Sequence, residues 1–65
     1  MTQDREVAKR ETVALARTAN VAAYLYLLNS GYYYVSLSPP GFFNADYVGK
    51  AEREIPGAGE PRFRP

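Results

Sequence analysis

No cysteine and no histidine occur among the 65 residues. Their absence excludes disulfide staples, the common zinc sites and any nucleophilic machinery built on Ser–His or Cys–His pairs. Large aliphatic side chains are scarce too. Of the 30 apolar residues 9 are alanine and 6 are tyrosine, while Leu, Ile, Val and Phe together number 14. A chain this short buries roughly 60% of the surface its unfolded form exposes. So poor a supply of core residues predicts one small domain of marginal independent stability. There is also no strong charge of one sign, with 8 basic residues against 7 acidic ones. A nucleic-acid partner, whose footprint is a basic patch or stripe, is therefore not expected.

Two further absences organise the chain. Residues 18–45 carry no charge, and residues 2–30 contain no glycine or proline. The second stretch is rich in Ala, Leu, Arg and Glu and predicts one long helix over about 3–29. Thr2 is a fitting N-cap, Asp4 and Glu6 suit the positive end of the helix dipole, and Glu6–Arg10 forms an i,i+4 pair. Val7, Ala14, Val21 and Leu28 recur every seven residues, and Gly31 is placed to end the helix in a left-handed conformation. The stretch from Asn20 to Leu28 is apolar nearly all round, and a helix of that kind must be covered on every side.

Beyond the helix, Tyr32–Ser38 alternates as a strand does, with Tyr33, Val35 and Leu37 on one side and Tyr32, Tyr34, Ser36 and Ser38 on the other. No second strand is evident to pair with it. Asn44 is placed to cap a short helix over about 45–54, with an Asp46–Lys50 pair, and Ile55-Pro56 ends it. All five prolines and four of the five glycines follow residue 38, so the remainder reads as an extended arm. The expectation is a mainly α subunit, helix over 2–30 and aromatic Pro/Gly-rich arm over 31–65, that is not an independent globular fold.

Catalytic and metal chemistry find little support. Glu52 and Glu54 point apart on a helix, and Asp46, Glu52, Glu54 and Glu60 match no calcium-loop spacing. Gly57-Ala58-Gly59 lacks the Lys-Ser/Thr that a phosphate-binding loop requires. No catalytic residue, cofactor, metal or small-molecule substrate is expected, and the chain is read as a non-enzyme.

The aromatic residues carry the functional reading. Tyrosine brings a large apolar face and a hydroxyl to an interface at low entropic cost. Val21, Tyr24, Leu25, Leu28, Tyr32, Tyr33, Tyr34, Val35, Leu37, Phe42, Phe43, Tyr47 and Phe63 are the candidate partner interface. Stacking of nucleic-acid bases on these rings is disfavoured because no Lys or Arg is interleaved within 18–45. The leading expectation is a non-catalytic structural or accessory subunit, packed by its apolar helix end and tyrosine arm against protein partners in a virion or multi-subunit complex. One alternative places residues 14–35 in a bilayer, although the run Val21–Leu28 falls well short of the roughly 20 residues a spanning helix needs. Another is a homo-oligomer through the Val7/Ala14/Val21/Leu28 seam. Residues Met1–Glu6 are mixed in charge and resemble no secretory signal, so the expected location is cytoplasmic or within an assembled particle.

Overall fold

Asp4 starts the helix. In the computed structural model, which describes residues 2–41 and 45–65, the Asp4 backbone is extended, and its side chain accepts hydrogen bonds from the amides of Glu6 and Val7 at 2.9 and 3.3 Å. Two of the four orphan donors at the helix start are thereby satisfied. Helix α1 runs from Arg5 to Ala19. Glu6 in its first turn and Arg17 in its last complement the helix dipole. Thr2 is not the cap; its hydroxyl accepts from the Asp4 amide at 3.0 Å.

The helix ends ten residues before the position predicted from sequence. Asn20 takes the left-handed conformation at φ 59°, and its amide donates back to Ala16 O at 2.9 Å. Asparagine is the residue after glycine that best tolerates this geometry. The chain then enters a sheet of four antiparallel strands: β1 (Ala23–Leu27), β2 (Tyr33–Ser36), β3 (Asp46–Glu52) and β4 (Arg62–Arg64), in spatial order β2-β1-β3-β4.

The expectation of a mainly α chain that is not an independent globular fold is corrected: past Asn20 the chain forms four strands, which with α1 make one small globule. The apolar stretch after Asn20 is β1, a central strand, because Ala23, Leu25 and Leu27 alternate with Tyr24 and Tyr26 and fill two faces rather than a helical surface. The tyrosine segment is not a lone strand: β2 pairs with β1 through Tyr24–Ser36, Leu25–Val35, Tyr26–Tyr34 and Leu27–Tyr33. The segment predicted as a second helix is β3, in which Tyr47 and Val48 favour the pleated state. The C-terminal arm folds back, with a turn bridging Ile55 and Ala58, Pro61 buried, and β4 paired to β3. The predicted cap Asn44 lies outside the described residues. The Cα radius of gyration, 11.1 Å, matches the roughly 11 Å of a folded chain this long.

One sheet face packs on α1. Ala8, Thr12 and Ala16, spaced by four along the helix, are buried, as are Ala23, Leu25 and Ala51 on the sheet, with Val13 and Leu15 alongside. Besides Pro61, four of the six buried apolar side chains among the described residues are alanines, so the helix lies close on the sheet. The small side chains trade hydrophobic area, at about 0.8 kcal/mol per buried methylene, for proximity. The Thr12 hydroxyl is satisfied inside this layer by donating to Ala8 O at 2.7 Å. Phe63 reaches the same layer over Gly49, where an added Cβ would lie 2.6 Å from the Phe63 ring and 2.5 Å from Arg64 O.

The seven-residue seam does not form on one helix, because Val21 and Leu28 lie beyond Ala19. Among the described residues, no helix is long and apolar enough to cross a membrane.

Candidate interaction surface

The sheet face turned away from α1 gathers the tyrosines. Residues paired across a ladder share a face, so Tyr24 and Tyr26 of β1 stand with Tyr34 and Ser36 of β2 and with Tyr47 and Lys50 of β3. Tyr47 reaches this face through a register shift. Leu25 pairs with Gly49 but the next residue, Tyr26, pairs with Tyr47, leaving Val48 as an extra residue in β3. Without that bulge Tyr47 would pair with Leu27 and point at the helix.

The rings form a connected group. Tyr47 lies 6.0 Å from Tyr26 edge-on, at 62°, and 6.5 Å from Tyr24 at 48°, distances at which aromatic quadrupoles attract. Tyr26 is 1% exposed and donates its hydroxyl to Ser38 O at 2.7 Å. It anchors the segment after β2 across the face. Tyr34 and Tyr47 stay open at 37% and 43% exposure.

Charges line one end of the same face. Glu52 pairs with Lys50 at 3.1 Å and with Arg64 at 3.7 Å. The sequence alone does not interleave cations with the tyrosines; the sheet does, by bringing β3 and β4 beside β1. The signal available was the period-two spacing of Lys50 with Glu52 and of Arg62 with Arg64.

The electrostatics argue against catalysis by these groups. Burial raises the pKa of Tyr26, helped by Tyr47 and Tyr24, and burial raises that of Tyr47 against the lowering effect of Lys50. Both stay phenols near neutral pH, whereas a tyrosine base needs its pKa lowered. The hydrogen bond to Glu52 raises the pKa of Lys50, which stays an ammonium. Among the described residues, no three Asp or Glu side chains converge on a metal-sized site.

The thirteen candidate interface residues separate into distinct environments. Leu25 is fully buried in the chain's own core. Tyr33, Val35 and Phe63 are half-buried on the helix side of the sheet, and Tyr24 is half-buried on the other. Leu28 is half-buried in the β1–β2 turn, its amide donating to Tyr32 O at 2.9 Å. Tyr32, Tyr34, Leu37, Tyr47 and Val21 are exposed, Val21 at the far end beside Asn20. Phe42 and Phe43 lie outside the described residues. Comparison of the chain with protein-family models, with curated proteins and with solved structures finds no match.

Proposed function

We propose that this chain is a non-catalytic accessory subunit that binds a protein partner through the tyrosines left exposed on the outer face of its sheet. The observation that carries this reading is the pair Tyr34 and Tyr47. Both rings are more than a third exposed on a face already organised by Tyr26 and Tyr24. Rigid aromatic rings lose little entropy on docking and are favoured where interface energy concentrates. The proposed contact surface thus lies on a sheet, where the sequence pattern expects an apolar helix end and a tyrosine arm.

The test is site-specific photocrosslinking. A benzophenone amino acid at position 34 is introduced into the chain in its native cell. The reading expects one dominant protein adduct that disappears when Tyr47→Ala is added and persists with Val21→Ser. Absence of an adduct, or an adduct indifferent to Tyr47, overturns it. Crosslinking to nucleic acid also overturns it, in favour of base stacking between these rings and Lys50 and Arg64.

A further inference from the structure

A second surface lies on the opposite side of the molecule. The flank of α1 and the Phe63 side chain of β4 enclose a groove of about 680 Å³. The groove is open: its apolar lining, taken as the floor, is Val13, Ala14 and Phe63, and its charged lining, taken as the rim, is Lys9, Arg10 and Arg17 with Glu6. Along α1 these positions follow the i, i+3, i+4, i+7 spacing of one helical face. From Glu6 to Arg17 the groove runs about 16 Å, at 1.5 Å per residue.

We infer that this groove receives an acidic amphipathic helix from a protein partner, one with apolar side chains facing the floor and carboxylates along both flanks. Charge complementarity argues for it. Three cations stand over an apolar floor. Lys9 and Arg17 are held by Glu6 at 3.2 Å and Glu60 at 2.7 Å. Both pairs are largely exposed, so little free energy opposes an exchange of partners. Among the described residues, Arg10 has no carboxylate within ion-pair distance. Lys9 also lies 5.5 Å from the centre of the Phe63 ring, which ties the charged rim to the apolar floor.

The fold argues against one other occupant, an added strand. Strand addition at β4 would need backbone donors along its outer edge. Tyr33 donates outward to Thr2 O at 2.8 Å, and the alternation of antiparallel ladders carried from there across the sheet leaves positions 61, 63 and 65 facing outward on β4. Two of these are proline, which has no N–H to donate. A helix fits because Ala14, a small exposed side chain in this lining, lets a second backbone approach closely.

The test uses the intact chain and a synthetic 14-residue helical peptide with Leu at i, i+4, i+7 and i+11 and Glu on both flanks. A Lys-for-Glu version and phosphatidylglycerol vesicles are the comparators. The proposal expects saturable binding of the acidic peptide, with amide shifts concentrated at Val13, Ala14 and Phe63. Arg10→Glu should weaken it about tenfold, and Ala14→Phe, which fills the floor from an exposed position, should abolish it. Tyr47→Ala should leave it unchanged, so failure here is separate from failure of the sheet-face reading. Equal affinity for the Lys peptide, indifference to Arg10→Glu and Ala14→Phe, or vesicle binding sensitive to both variants overturns it.

Discussion

The hydroxyl of Tyr26 donates to the carbonyl of Ser38 across 2.7 Å, from the middle of β1 to the segment after β2. This bond holds the chain where it leaves the hairpin, on a residue that is otherwise sealed from water. Tyr26→Phe keeps the ring and leaves the Ser38 carbonyl without this donor. A loss of about 1 kcal/mol is expected in urea denaturation.

Alkaline pH should destabilise the protein through the same face. Burial raises the folded-state pKa of Tyr26 and Tyr47 above the ordinary 10.0, and Glu52 raises that of Lys50 above 10.5. Below about pH 10 these groups are protonated in both states and their contribution is complete. Above it the unfolded chain gives up its protons first, so stability falls as pH rises through the folded values. Denaturation midpoints measured from pH 8 to 11.5 should decline, and Tyr26→Phe should make the decline shallower. A flat profile would contradict the assignment.

Gly49 is required by packing. An added Cβ would lie 2.5 Å from Arg64 O, 2.6 Å from the Phe63 ring and 2.9 Å from Pro65 Cα. Two of these atoms are backbone and cannot rotate away. Gly49→Ala should cost about 1–3 kcal/mol by pushing β4 off β3. Amide exchange should quicken at Phe63 and Arg64 before it does in β1.

Asn20 does two things at once. It accepts the left-handed backbone that turns α1 into β1, and its Oδ1 accepts a hydrogen bond from Arg53 Nη1 at 2.7 Å. Asn20→Gly keeps the first and loses the second, for about 0.5–1.5 kcal/mol. Asn20→Ala loses both, adding about 1 kcal/mol of backbone strain. Thermal melts should rank the variants wild type, glycine, alanine.

The exposed Arg17–Glu60 pair should matter far less, despite its 2.7 Å contact. With both side chains more than half open to solvent, Glu60→Gln is expected to change stability by less than about 0.5 kcal/mol. The difference should vanish in 1 M salt.

How far the sequence foretold this structure is clearest at Asn20. The capping chemistry before it was present in the letters, since Asp4 and Glu6 lie at the helix start. Past it, the lack of glycine, proline and charge read as continuing helix, although Ala23-Tyr24-Leu25-Tyr26-Leu27 also alternates with period two. Alanine fits both periods, so the pattern was ambiguous until the left-handed Asn20 broke it. At Tyr32–Ser38 the alternation was legible, but not the partner strand hidden in that supposed helix. Tyr34 and Tyr47 were both candidate interface residues. Their meeting on one face depends on the Val48 bulge, and no composition or spacing rule locates a bulge.

The strand order also constrains how the protein can be made. Residues 20–22 alone connect α1 to β1, and β2 follows after a short turn, so these three elements can associate at small loop-closure cost while the rest is still being synthesised. Until residues 46–64 emerge, the inner edge of β1 has no strand beside it. That edge carries Ala23 and Leu25, both fully buried in the finished sheet. A chain stopped anywhere before β3 would therefore hold a naked apolar strand edge, a template for aggregation. The segment over 46–64, whose composition reads as an extended arm, is thus the piece that shields this edge.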